Sequence, residues 1–210
     1  METAVFLAAG AIAFGAGCLA RSRYERDCLV TEEYRIVSEK IHGPEKTIVF
    51  LTDLHNKEFC DQNCRLLDAV RKVKPDAVLS GGDGMVAKKG NSDVEIPRKL
   101  LTELAKEFPV YCGNGNHECR MVWKSDIYGA AYENYQAALE NAGIRYLANG
   151  SADLDGEIRI YGLDLPKSAY LPRSGQIPEN LLKDALGEPD PGRFNLLLAH
   201  SPLFFEEYAA

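Results

Sequence analysis

"TIVFLTDLHNKEFC", residues 47–60, is the stretch from which the rest of the chain can be read. Thr47–Leu51 is a run of β-branched and apolar residues, the composition of a buried strand, and it breaks off into polar residues at Thr52. Asp53 and His55 therefore fall just past a strand end, in a loop, where binding and catalytic groups are usually carried.

The pattern recurs along the chain. "DAVLS" (76–80) runs into Gly81-Gly82-Asp83, "PVYC" (109–112) into Gly113-Asn114-Gly115-Asn116-His117-Glu118, and "FNLLLAHSP" (194–202) is a buried strand ending at His200. Leu66, Leu67, Val70 and Val73 recur at helical spacing between Asp61, an N-cap residue, and Pro75, a stop, and predict a helix over 61–74. Leu100, Leu101 and Leu104 predict another over 97–108, with Pro97 suited to its first turn. Strand, helix and strand in alternation require parallel pairing through right-handed crossovers, hence an α/β sheet whose strand C-terminal ends share one edge.

The remaining segments are shorter. "YRIVSEKI" (34–41) alternates well enough to predict a strand, and "HGPEK" (42–46) a turn. A helix is expected over 129–142, closing at Gly143. "IRYLAN", "SADLD" and "EIRIYGLDL" then predict short strands of a second, antiparallel layer, and Pro- and Gly-rich linkers over 166–193 enclose a helix near 178–186.

Four clusters thus converge on one sheet edge: Asp53-x-His55, Gly82-Asp83, Asn116-His117-Glu118 and His200. Taken singly each is bland, since a Gly-Asp is usually a turn and a histidine after a leucine run is often a hydrogen-bonded core residue. Three of the four histidines nevertheless fall at strand ends, with His42 in its turn outside. Carboxylate, amide and imidazole donors suit divalent Mn, Fe or Zn rather than a thiolate site. Two such cations about 3.5–4 Å apart would share a bridging carboxylate, clamp a phosphate and acidify a water, and the central Asp83 is the natural bridge.

Composition limits the alternatives. At 210 residues, 46% hydrophobic and 26% charged, the chain accommodates one sizeable globular domain. With a net charge of −7 and no basic run longer than Lys88-Lys89, it has no patch for holding nucleic acid by phosphate neutralisation, and an anionic substrate would need a local cation. "GGDG" and "GNGN" match neither the dinucleotide fingerprint nor a P-loop. Six cysteines, at 18, 28, 60, 64, 112 and 119, include no Cys-x-x-Cys pair and read as free thiols of a reducing compartment rather than disulfides or a structural zinc.

The N-terminal segment, residues 1–26, differs from the rest. Ala4–Ala20 is uncharged and is followed at once by Arg21, Arg23 and Arg26. The expectation is an uncleaved single-pass membrane anchor, with the arginine flank and the domain behind it on the cytoplasmic side; the alternatives are a signal peptide, which would export the protein after cleavage, and a buried core helix.

The order Asp53-x-His55, Gly82-Asp83, Gly115-Asn116-His117-Glu118 and His200 resembles the calcineurin-like metallophosphoesterases, especially bacterial members with an N-terminal membrane segment followed by a "YRI" strand. The resemblance covers roughly residues 34–207, within a domain taken as 34–210. It implies a metallophosphoesterase-like four-layer α/β/β/α sandwich and a phosphoric ester hydrolase with two divalent metal ions. By the resemblance, Asp53 and His55 bind the first metal, Asp83 bridges, Asn116 and His200 bind the second, and His117 binds none, contacting phosphate and protonating the leaving alkoxide. The substrate would be a phosphate ester, soluble or lipid-linked. The family's pattern continues to a Gly-His-x-His element with one more histidine for each metal, whereas this chain stops at Ala210, so the domain is expected to be C-terminally incomplete. The rival expectation is a truncated, non-catalytic, membrane-anchored phosphate-binding scaffold.

Overall fold

The computed structural model describes residues 2–170 and 177–209. Part of the predicted 166–193 linker, residues 171–176, lies outside the described residues. The chain divides into two compact units, Met1–Tyr34 and Arg35–Ala210.

The first unit is helix α1 (Glu2–Asp27) with a short tail. Among the described residues no helix is long and apolar enough to cross a membrane, which corrects the single-pass anchor expected from Ala4–Ala20 and the transmembrane, cytoplasm-facing placement built on it. The apolar stretch is diluted by Ala and Gly, and the same helix runs on through Arg21, Arg23, Glu25, Arg26 and Asp27. The argument from an anchor to a lipid-linked substrate falls with it.

The strand predicted over 34–41 is also corrected. Residues 28–38 have no regular secondary structure, and Tyr34, Ile36 and Val37 are exposed. Alternation records only a tendency; a strand also needs a neighbour for its backbone groups, and no described strand pairs here.

The second unit is built on two sheets. Strands β1 (Ile48–Leu51), β2 (Ala77–Ser80), β3 (Val110–Cys112) and β4 (Arg145–Tyr146) form a parallel sheet in that order. Leu51 lies beside Ser80, and Ser80 beside Cys112, so the first three strands end level. Strand β2 is buried throughout, whereas β1 is an edge strand with Phe50 exposed, so the strand expected to be buried is only half covered.

Helices α2 (Cys64–Val73), α3 (Glu95–Ala105) and α6 (Ala131–Asn141) make the crossovers, the last of them preceded by the shorter α4 (Asn116–Trp123) and α5 (Ser125–Tyr128). Each buries one stripe: Leu66, Leu67 and Val70; Pro97, Leu100, Leu101 and Leu104; Tyr132, Tyr135 and Leu139. The first helix starts later than predicted, because Asp61–Asn63 forms a separate 3-10 turn. It ends at Lys74 in the left-handed conformation, before Pro75, which cannot continue a helix.

Strands β5 (Gly150–Asp153), β6 (Ile158–Leu163) and β7 (Phe194–Ala199) form the second sheet. Here β5–β6 is an antiparallel hairpin, but β7 is parallel to β6. Two expectations change: "IRYLAN" supplies the fourth strand of the first sheet, and the strand leading to His200 belongs to the second. Alternate residues of the two sheets interlock, with Ala77, Leu79 and Tyr111 meeting Ile158, Ile160 and Leu198. Each fully buried large side chain here stabilises the fold by roughly 1.5–3 kcal/mol. The outer face of the second sheet, through Leu163, Leu197 and Ala199, packs on Phe204 and on Leu181 and Leu182 of α7 (Leu181–Leu186). Helices therefore flank two face-to-face sheets, the α/β/β/α arrangement.

Cys60 and Cys64 are joined in a disulfide with Cα atoms 5.8 Å apart, correcting the expectation of free thiols for that pair; Cys18, Cys28, Cys112 and Cys119 are free. The turned backbone between them, with Cys60, Gln62 and Asn63 all at positive φ, brings the two Cα atoms within bridging range.

Candidate metal centre

Past the level strand ends, the loops stay hydrogen-bonded to one another. The Asp53 N–H donates to Gly82 O (3.1 Å), His55 N–H to Asp83 O (3.0 Å) and Asn56 N–H to Gly84 O (2.8 Å). Asp53, His55, Asn56 and Asp83 all have φ between 49° and 60°, the left-handed region. Such backbone is costly for non-glycine residues and clusters at functional sites. Asp53 and His55 thus reach one side through turned backbone, not through the simple strand alternation their spacing suggests.

Two glycines permit the next contact. A Cβ on Gly82, at φ +90°, would stand 2.0 Å from the Gly115 nitrogen, and one on Gly115 would stand 2.3 Å from Asp83 Oδ1. The two loops therefore meet backbone to backbone, which only glycine allows. Beyond Gly115 the chain enters α4 (Asn116–Trp123), so Asn116 and His117 sit in the first turn of a helix, not in the predicted loop.

Sequence reading missed what holds this junction. Glu118 is buried, and its carboxylate accepts the N–H groups of Asp83 (2.9 Å), Gly84 (3.1 Å) and Gly115 (3.0 Å). Glu at the third helical position reaching back to the N-cap N–H is half of a capping box, a signal present in "GNHE". Burial first, and then the charge of Asp83, push the Glu118 carboxyl up to about 7. A second missed element ties the sheets together: Asn114, after β3, donates to Asp164 Oδ2, after β6 (2.9 Å), and to Tyr132 Oη (2.9 Å), and accepts from the Tyr146 hydroxyl (2.6 Å).

Asp83 is the centre. Its side chain is 2% exposed, and its Oδ2 has His200 Nε2 at 3.4 Å, His55 Nε2 at 3.7 Å and His117 Nε2 at 3.9 Å. Asp53 Oδ1 lies 3.4 Å from His55 Nε2. The groups His55–Asp83–His117 and Asp53–Asp83–His200 each bring three ligand atoms within 4.8 Å of one another, with Asp83 common to both. His200, although from the opposing sheet, emerges level with the end of β6, since Leu163 pairs with Ala199. Asp53 and His55 lie at the open mouth and Asp83 at the floor. The geometry thus brings together Asp53, His55, Asp83, His117 and His200; Asn116 precedes His117 as the first residue of α4 and belongs to neither group.

The histidines differ in what fixes them. The Nδ1 of His200 lies 3.0 Å from Gly81 O, a carbonyl that can only accept, so Nδ1 carries a proton and Nε2 is the nitrogen turned toward Asp83 Oδ2. His117 Nδ1 faces Ala87 instead, 2.9 Å from its N–H, 3.3 Å from its carbonyl and 3.5 Å from Arg120 Nη1, and Nε2 is again the nitrogen facing Asp83. Burial pushes Asp83 up, but the His200 hydrogen bond, the His117 N–H and the two imidazoles outweigh it and hold the carboxyl below its ordinary range. Burial pushes His200 down, and Asp83 more than reverses this, to about 9. For His117 burial prevails against the pull of Asp83, and the ring is held below its ordinary value.

The donor set of hard oxygens and oriented imidazole nitrogens around one shared carboxylate fits divalent cations. A family model for the calcineurin-like phosphoesterases matches residues 46–210, and the chain belongs to that family, whose members are hydrolases of phosphoric esters. The match begins after the exposed 34–41 segment. No curated protein matches the chain.

Proposed function

We propose that the chain is a metal-dependent phosphoric ester hydrolase with a dinuclear centre, in which Asp53 and His55 hold one cation, Asn116 and His200 the other, and Asp83 bridges. The observation that carries the shared bridge is Asp83, a buried carboxylate common to both three-residue groups; the division of the other ligands follows the family rather than those groups, which join His55 with His117 and Asp53 with His200. Bound there, the cations would act as Lewis acids toward the phosphoryl oxygens and lower the pKa of a water. The chain's own residues do the rest. Gly81 O anchors the Nδ1–H of His200 and so turns Nε2 toward the centre, where a cation would take the place of its proton. Glu118 fixes the Asp83 backbone from below. A general-acid role for His117 rests on Nε2 facing the centre: as imidazolium, with its Nδ1–H turned to Ala87 O at 3.3 Å, it would give the Nε2 proton to a leaving alkoxide and return to neutral imidazole.

The test is metal stoichiometry together with turnover of the 210-residue chain on a chromogenic mono- and diester, with added manganese and with chelator. Asp83→Asn should lose metal and activity together, because one change removes the ligand both ions share. Equal rates with manganese and chelator, or two ions retained by the folded variant, would overturn the reading. Zero or one ion per wild-type chain would instead favour a phosphate-binding scaffold.

A further inference from the structure

We propose that Arg120 is a positioning residue for His117, acting through the peptide of Ala87 to hold the ring with Nε2 toward the centre. This rests on the phosphoesterase reading and on His117 as its general acid.

Helix α4 grips the loop that leaves Asp83 with three side chains. Glu118 accepts the Gly84 N–H at 3.1 Å, and His117 and Arg120 both bond Ala87. Ala87 is buried, with its N–H 2.9 Å and its carbonyl 3.3 Å from His117 Nδ1. One short stretch of backbone thus faces the ring with both a donor and an acceptor, and can bond Nδ1 whether or not that nitrogen carries a proton. On its other sides the ring is held less directly. Its Nε2 lies 3.9 Å from Asp83 Oδ2, beyond hydrogen-bond range, and the His55 ring stands edge-on with 5.1 Å between centroids. The orientation of the imidazole therefore rests on Ala87 keeping its place.

Arg120 keeps it there. Three residues after His117, and so its neighbour one turn along the helix, Arg120 donates from Nη1 to Ala87 O at 2.8 Å, with Nη1 3.5 Å from His117 Nδ1. A carbonyl has two lone pairs, so Ala87 O can accept Arg120 and the Nδ1–H of His117 together. Among the described residues no other donor reaches that oxygen, and no carboxylate pairs with Arg120. A planar guanidinium is suited to a carboxylate or a phosphate. Here, half-buried, it is bonded instead to a carbonyl at the back edge of the acid's ring. Without it Ala87 O would turn to water and the peptide would be free to tilt, taking the ring with it. A misplacement near 1 Å is worth about 100-fold in rate.

The test is a double-mutant cycle of Arg120→Met and His117→Ala in the manganese-loaded chain, read on an alkyl and a nitrophenyl phosphoester, with Arg120→Lys as the conservative variant. Arg120→Met should keep the wild-type metal content and lose about 10- to 100-fold in kcat on the alkyl ester, no more than the acid itself supplies. The loss on the nitrophenyl ester should be smaller and KM little changed. Arg120→Lys, which keeps a donor for the carbonyl, should recover part of the rate. In the His117→Ala background Arg120→Met should change nothing further, because the ring it positions is gone. An additive loss in that background, or equal losses on both esters, would overturn the inference and leave the hydrolase reading standing. Amide exchange at Ala87 in the zinc-loaded chain reads the contact without turnover, and Arg120→Met should speed it about 5- to 10-fold, the worth of one hydrogen bond. Unchanged exchange would overturn the inference, whereas faster exchange in a chain whose wild type hydrolyses neither ester would sustain the positioning of the ring and sink the hydrolase reading.

Discussion

Replacing Gly115 with alanine probes the closest backbone approach in the centre. The new Cβ would lie 2.3 Å from Asp83 Oδ1, 2.4 Å from Asp83 N and 2.9 Å from Asp83 Cγ. Gly115 has φ −99° and ψ −173°, extended values open to alanine, so the effect comes from contact alone. Ordinary non-bonded separation is about 3.5 Å, so the two loops must part by roughly 1 Å. Asp83 cannot yield freely, because its Oδ1 accepts the His117 N–H at 2.8 Å and its own N–H donates to Glu118 at 2.9 Å. Overpacking of this kind costs about 1–3 kcal/mol, and losing one buried hydrogen bond adds about 1–2 kcal/mol. The expected destabilisation is therefore about 2–5 kcal/mol by denaturant titration of the metal-free chain. In the fraction that folds, metal content should fall, and a displacement near 1 Å should reduce turnover about 100-fold. Gly113→Ala is the control, since its Cβ would meet Leu198 Cβ at 3.4 Å, an ordinary contact, and should cost under about 1 kcal/mol. If Gly115→Ala matched wild type in denaturation midpoint and metal content, the packing argument would be refuted.

Two further outcomes follow from the same geometry. Glu118→Ala leaves three buried N–H donors, of Asp83, Gly84 and Gly115, without an acceptor and should destabilise the fold by about 3–6 kcal/mol, with Glu118→Gln falling between it and wild type in the same titration. His117→Ala should keep its metals by elemental analysis while losing about 10²–10⁴ in rate on an alkyl ester and less on a nitrophenyl ester, because the better leaving group needs the proton least; loss of an ion would make His117 a ligand.

Much of this was legible one segment at a time. The apolar runs before Asp53, Asp83 and Asn116 and the helical spacing of Leu66, Leu67 and Val70 and of Leu100, Leu101 and Leu104 report burial. Burial on a strand or helix face is local information, repeated at period 2 or 3.6. The convergence of the clusters followed from parallel pairing, and that argument survives for the first three strands. Glu118 was legible too, as half of a capping box, although its burial beneath Asp83 was not.

What periodicity does not record is which strand becomes whose neighbour. The "YRIV" segment and β7 look alike as strings, yet one finds no described partner and the other pairs with β6 in the opposite sheet. Only that pairing brings His200 to Asp83 from across the sandwich, and only the bare backbones of Gly82 and Gly115 let the loops meet. The orientations of the His117 and His200 rings likewise depend on Ala87 and Gly81, groups distant from them in sequence. By itself the sequence determined the kinds of donors and the elements that carry them. Which nitrogen faces the centre, and which oxygen is shared, was decided by contacts between residues far apart in the chain, because a hydrogen bond is fixed by position in space rather than by order along a strand.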